Sequence, residues 1–287
     1  MSYVELPILF SCGSESLLGI LSKSESAGHV GVLIVVGGPQ YRVGSHRQFV
    51  LLARSLAAAG FSVFRFDYRG MGDSTGDLRQ FEDISDDIAA AIDAFQGACP
   101  GLERVVLWGL CDAASASLIY WDATQDLRMA GMVLLNPWVR SEASLAKTQI
   151  KHYYGQRLLQ AEFWKKLLTF QLGIGQSLKG LMGAWIRARS HAPQGASAAS
   201  LDTFQRKMIR GLQSFPGDTL LILSGDDYTA KEFLEYSQTD RQLMQALAGS
   251  GVERVDLLAA DHTFSSPEQQ QAVESVTLSW LEKFMVQ

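Results

Sequence analysis

The sequence has little cysteine and no excess of positive charge. Only three cysteines, Cys12, Cys99 and Cys111, occur among the 287 residues. They are too few and too scattered to predict a disulfide framework or a zinc site. The formal net charge is −5, and no basic run is interleaved with aromatic residues. We therefore expect neither nucleic acid nor an anionic membrane as a partner, and no metal or other cofactor.

Long apolar runs are also missing. No stretch approaches the length of a transmembrane helix. The first residues, MSYVELPILFSCGSE, lack the charged start and long apolar stretch of a signal peptide. These absences predict a chain that is not inserted in a membrane and that works in the cytoplasm. Apolar and charged fractions of 47% and 19% are ordinary for a folded globular protein.

What the sequence does contain is a regular alternation of strand and helix patterns. VELPILF and SLLGILS predict an antiparallel N-terminal hairpin. Short apolar runs such as VGVLIVVGG, RVVLWGL and TLLILSGDD are typical of strands buried on both faces, and helical periodicity follows them. This alternation predicts an α/β fold with a mostly parallel, doubly wound sheet.

The alternation stops between residues 141 and 214, where the pattern is helical. We expect a first core segment at 1–140, an inserted helical cap at 141–214 and a second core segment at 215–287. Such a cap would cover the carboxyl edge of the sheet, where open α/β sheets bind their ligands.

The aromatic residues of the predicted cap are interpreted first as its own packing. The alternative is an acyl pocket near basic side chains that attract the phosphate of a carrier-linked substrate. These basic side chains are Lys165, Lys166, Arg187 and Arg189.

Three polar residues directly follow predicted strands, in the order Cys111, Asp227 and His262. The stretch GLCDA would turn a strand sharply into a helix at Cys111, with the small residues Gly109 and Ala113 two positions before and after it. The order nucleophile, acid, histidine along the chain is typical of hydrolases whose nucleophile lies at a strand-to-helix turn.

A cysteine at this turn has a clear chemical interpretation. The helix N-terminus and a neighbouring histidine both lower the pKa of a thiol. Asp227 would hold the other ring nitrogen of His262 and fix its tautomer. The alternative for Cys111 is a small core residue. Asp226 is the alternative acid, and Asp261 is expected to fix the histidine loop.

An oxyanion hole needs two backbone donors that converge on the developing charge. We expect the N–H of Asp112 as one donor. The second would come from the loop GGPQYRVG, where Gly38 is the first candidate and Gln40 the alternative, since Pro39 has no N–H. This glycine-rich loop does not have the spacing of a phosphate-binding or dinucleotide-binding loop.

Three further stretches, VVGGP, FDYRGMGDSTG and ADHTFSS, resemble motifs of the α/β-hydrolase superfamily. The chain departs from that pattern at Cys111, in place of serine, at Ala113, in place of the second glycine, and at Val36, where some members carry histidine. More narrowly, GGPQYRVGSHRQF, GLCDAASA and GDDYTAKEF are similar to the first type of exosortase A system-associated hydrolases. That resemblance implies a Cys-His-Asp hydrolase fold without a settled substrate.

Together these observations predict a hydrolase that acts on an ester, thioester or lactone through an acyl-thioester on Cys111. The substrate is expected to be a small acyl compound, free or carrier-linked. A thioester also reacts with amines, thiols and alcohols, so an acyltransferase is the first alternative. A non-catalytic relative that only binds a ligand is the second.

Overall fold

The computed structural model describes residues 2–38, 40–140 and 202–285. Within these ranges, eight strands form one sheet in the order β1-β2-β4-β3-β5-β6-β7-β8. The strands are β1 (Tyr3–Cys12), β2 (Glu15–Ser24), β3 (Val30–Val35), β4 (Val63–Phe66), β5 (Arg104–Leu110), β6 (Met129–Leu135), β7 (Asp218–Asp226) and β8 (Val252–Asp261).

The N-terminal hairpin forms one edge of this sheet. β1 and β2 pair antiparallel along their whole length, and β2 pairs antiparallel with β4. All the remaining pairs, from β4 through β3 and β5 to β8, are parallel. The predicted mostly parallel sheet with an antiparallel hairpin is confirmed.

Helices cover both faces of the sheet. Numbered within the described residues, they are α1 (Gln48–Ala58), α2 (Ser85–Ala98), α3 (Asp112–Thr124), α4 (Phe204–Ser214), α5 (Tyr228–Thr239), α6 (Arg241–Leu247) and α7 (Pro267–Leu281). Among these residues, no helix combines the length and the apolar character needed to cross a bilayer.

The central strands have apolar side chains on both faces because each face has its own helical layer. In β3, the side chains of Leu33 and Val35 join the cluster formed with α2, α3, α4, α5 and α6. Their neighbours Val32 and Ile34 join the cluster formed with α1 and α7. Alternate side chains of a strand point to opposite faces, so a continuous apolar run is required here.

The region predicted as a cap, residues 141–214, is only partly described. Residues 141–201 lie outside the described residues, and so do the basic residues proposed to attract a carrier. Residues 202–214 belong to the same compact unit as the sheet. There α4 packs against α3, with Met208 and Ile209 buried in the core.

The parallel arrangement determines where polar residues meet. The strands β5, β6, β7 and β8 are neighbours and run in the same direction, so their carboxyl ends share one edge of the sheet. Cys111, Asp227 and His262 each directly follow one of these strands. That edge is where open α/β sheets bind ligands.

Candidate active site

Cys111 lies at a sharp turn between β5 and α3. Its backbone dihedrals are φ 63° and ψ −122°, and it is the residue that precedes the first turn of α3. A positive φ is uncommon for a residue with a side chain and stores conformational strain. The surrounding backbone must hold this conformation, which is that of the predicted strand-to-helix turn.

The small residues around Cys111 are required by close packing. A Cβ atom added at Gly109 would lie 2.6 Å from the carbonyl carbon of Ala113 and 2.7 Å from the backbone nitrogen of Ala114. Ala113 is itself fully buried. A larger side chain at position 109 would therefore push the start of α3 away from β5.

The end of β6 holds the Cys111 backbone from the other side. The Cys111 N–H donates to the carbonyl of Leu135 at 2.9 Å, and the Trp138 N–H donates to the carbonyl of Cys111 at 3.2 Å. Both the N–H and the carbonyl of Cys111 are thus bonded to β6 or the segment that follows it. These contacts stabilise the positive φ.

Asn136 connects this segment to the strand that carries the acid. It is fully buried with φ 45°. Its side-chain amide donates to Ser224 Oγ at 3.0 Å, and its side-chain oxygen accepts from the Ser224 N–H at 2.8 Å. Asn136 was not among the residues predicted from the sequence. The available signal was an asparagine at a strand end, since asparagine tolerates positive φ better than most residues.

Asp227 and His262 form the acid–histidine pair of the site. His262 Nδ1 lies 2.8 Å from Asp227 Oδ2. The other oxygen of Asp227 accepts the Thr229 N–H at 2.9 Å, which caps the start of α5. Because both carboxylate oxygens are engaged and Asp227 is buried, the carboxylate has a fixed orientation toward the imidazole.

The two carboxylates next to Asp227 and His262 in sequence, Asp226 and Asp261, have other surroundings. The Asp226 side chain is 85% exposed, with Lys231 Nζ at 3.9 Å. Asp261 accepts hydrogen bonds from the backbone N–H groups of Thr263, at 2.9 Å, and Ser265, at 3.3 Å. Asp261 therefore fixes the loop that carries His262, as its position predicted.

The predicted oxyanion loop lies against the start of α3. Gly38 has φ 61°, and its N–H donates to Asp112 Oδ2 at 2.9 Å. A Cβ added at Gly37 would collide with the Asp112 carboxylate and would lie 2.6 Å from the carbonyl of Leu110. A role was predicted only for the backbone N–H of Asp112, whereas its side chain accepts a hydrogen bond from the loop.

A buried carboxylate anchors the other end of this loop. The Arg42 N–H donates to Asp67 Oδ1 at 2.6 Å, and the Arg42 guanidinium forms an ion pair with Asp67. Asp67 also accepts the Asp73 N–H at 3.1 Å. The loop after β3 and the loop after β4 are thereby joined through one fully buried side chain.

The pKa of His262 is raised above its ordinary value of 6.5, mainly by the hydrogen bond to Asp227. Burial opposes this shift, and the Asp112 and Asp261 carboxylates add to it. The raised pKa makes the His262 imidazole a stronger proton acceptor than a free histidine.

We expect Asp227→Asn to lower the pKa of His262 toward 6.5, as measured by NMR titration of the ring protons. A histidine whose pKa is raised by folding contributes stability that is fully present below its unfolded-state pKa. That contribution is lost as pH rises through the folded-state pKa. The loss of unfolding free energy in Asp227→Asn should therefore be larger at about pH 6 than at about pH 9. Asp226→Asn should leave the His262 titration unchanged; an equal shift in both variants would contradict this explanation.

Within the described ranges, no group of three or more histidine, cysteine or carboxylate side chains is arranged to hold a metal ion. The chemistry of these residues is that of a thiol, an imidazole and a carboxylate.

An eight-stranded sheet with a strand-to-helix turn after β5 and an acid–histidine pair after β7 and β8 defines an α/β-hydrolase. The chain belongs to the alpha/beta hydrolase family, whose sequence profile matches residues 32–276. No curated protein matches it in sequence.

Several solved structures share the fold at low sequence identity. An esterase from Pyrococcus furiosus is 15% identical with a TM-score of 0.63, and the match covers 99% of this chain and 91% of that one. A dienelactone hydrolase from Anabaena variabilis is 17% identical with a TM-score of 0.61, covering 99% of both chains. An alpha/beta hydrolase from Penicillium is 15% identical with a TM-score of 0.63, covering 100% of both. At these identities the likeness concerns the fold.

Proposed function

We propose that this protein hydrolyses an ester, thioester or lactone through the triad Cys111, His262 and Asp227. One observation carries the proposal. Asp227 and His262 form a 2.8 Å pair at the sheet edge where Cys111 adopts the strained turn of a nucleophile. A buried acid that orients a histidine is what an attacking thiol needs.

The proposed reaction has two halves. In the first, His262 accepts the proton of the Cys111 thiol, and the thiolate attacks the substrate carbonyl. The tetrahedral intermediate collapses, the bond to the leaving group breaks, and His262 gives its proton to that group. In the second half, His262 accepts a proton from water, the resulting hydroxide attacks the thioester, and the carboxylic acid leaves as Cys111 is reprotonated.

The names of the structural neighbours support an ester or lactone substrate, because they include an esterase and a dienelactone hydrolase. The stretches GGPQYRVGSHRQF, GLCDAASA and GDDYTAKEF support a closer relationship to the exosortase A system-associated hydrolases. We also propose that the protein works in the cytoplasm. The acyl group would be small, and free or carrier-linked.

The direct test is covalent labelling. The protein is mixed with a panel of p-nitrophenyl esters and small thioesters, and its intact mass is followed over time. We expect one acyl group to be added to the wild type and to Cys99→Ala, but not to Cys111→Ala. Cys99 is buried and lies between α2 and the start of β5, whereas Cys111 follows the end of β5. Peptide mapping should place the group on Cys111.

The same experiment distinguishes the alternatives. If added amine, thiol or alcohol removes the label much faster than water at equal concentration, the protein is an acyltransferase. If no member of the panel labels Cys111, the proposed hydrolase is wrong, and a ligand-binding relative takes its place.

A further inference from the structure

A charged side chain follows the proposed nucleophile directly in sequence. Asp112 is the first residue of α3, and its Oδ2 accepts the Gly38 N–H at 2.9 Å. The backbone N–H groups of Ala113 and of Asp112 itself also stabilise the ionised form of this carboxyl group. The carboxylate therefore binds the N–H of Gly38, in the loop after β3, directly.

The Gly38 N–H is one of the donors that the proposed mechanism requires. The oxyanion of the tetrahedral intermediate needs N–H donors 2.7–3.1 Å away, and the two expected donors are those of Gly38 and Asp112. The 2.9 Å bond shows the first of them engaged by an internal anion.

We propose that the Asp112 carboxylate is an autoinhibitory occupant of the oxyanion hole, which an acyl substrate must displace before Cys111 can react. This inference rests on the proposed function. Displacement requires the Asp112 carboxylate to release the Gly38 N–H. In this proposal the Gly38 N–H binds the Asp112 carboxylate when no substrate is present. It binds the substrate oxygen once the carboxylate is displaced.

The bond to Gly38 is one that a substrate can break. The other carboxylate oxygen, Oδ1, is buried and has no hydrogen-bond partner among the described residues. A buried acceptor without a partner is unfavourable. Burial raises the pKa of Asp112 and outweighs the opposing effect of the N–H groups, so that burial makes the charged carboxylate less favourable here.

Removing the carboxylate should speed acylation. We expect Asp112→Ala to be acylated by p-nitrophenyl acetate at least about fivefold faster than the wild type, since loss of one net hydrogen bond changes an equilibrium by about this factor. Asp112→Asn keeps the shape but not the charge, and its rate should lie between the two. A carboxylate that only holds the loop in place predicts the reverse: slower acylation in Asp112→Ala, and recovery in Asp112→Asn. Rates equal to or below the wild-type rate in both variants overturn the proposal.

A second measurement uses acetate as a probe of the space that the Asp112 carboxylate leaves in Asp112→Ala. Acetate should raise the thermal midpoint of Asp112→Ala and slow its acylation, while the wild type responds no more than it does to chloride at equal ionic strength. The absence of an acetate-specific rise in the midpoint also overturns the proposal. The midpoint does not depend on turnover. If neither protein is labelled, the proposed function fails, and the acetate measurement still decides whether the carboxylate occupies this site.

Discussion

His262→Ala is expected to lower the rate of Cys111 acylation by at least about a hundredfold, the usual effect of losing a general base. The reason is geometric. Asp227 binds Nδ1 of His262 at 2.8 Å, which leaves the opposite ring nitrogen to accept the proton of the thiol. Without the ring, the proposed triad has no base to take the proton of the Cys111 thiol. Single-turnover labelling followed by intact mass measures this rate directly.

A matched control is available on another part of the chain. His29 lies just before β3, at the end of the sheet opposite to the site, and its side chain is exposed. His29→Ala should be acylated at the wild-type rate. If His262→Ala also kept that rate, His262 would have no role as the base, and the proposed triad would be wrong.

Asp227→Asn is expected to lower acylation about 10- to 1,000-fold, whereas Asp226→Asn should change it less than about twofold. The loss is placed below the roughly 10⁴-fold effect in a serine triad, because a thiol needs less activation than a hydroxyl. The amide would still cap α5 through Thr229, but it could present its NH₂ to the ring and favour the wrong tautomer.

The comparison is informative because the two acids are adjacent in sequence and differ in surroundings. Asp227 is buried against His262, and Asp226 points to solvent near Lys231. Acylation rates should be compared at a temperature at which both variants are fully folded, since Asp227 also caps α5. Greater loss in Asp226→Asn than in Asp227→Asn would transfer the role of the acid to Asp226.

Much of the sheet could be predicted from the sequence because its strands are encoded locally. Runs such as VGVLIV must be apolar at every position when helices cover both faces of the sheet. The two strands of the N-terminal hairpin are joined by a tight turn that contains Gly13. The turn at Cys111 could also be predicted from the sequence, because only small residues fit two positions before and two positions after it. Such patterns need no knowledge of distant parts of the chain.

Residues whose roles depend on distant partners were not predictable in this way. Asn136 is important through Ser224, 88 positions later in the chain. Asp112 was considered only for its backbone N–H, because nothing nearby in the sequence indicates that its carboxylate meets Gly38. Likewise, nothing in the pattern of residues 202–214 showed that α4 packs against α3 within the same compact unit as the sheet.

The sequence by itself determined the class of fold, the candidate nucleophile and the order of the polar residues along the chain. Only the tertiary structure decided that Asp227, and not Asp226, bonds His262, and that the Gly38 N–H is engaged by Asp112. The physical reason is that period and spacing act over a few residues, whereas a hydrogen bond requires atoms to be within about 3 Å in space. That proximity is created when parallel strands bring their carboxyl ends to one edge.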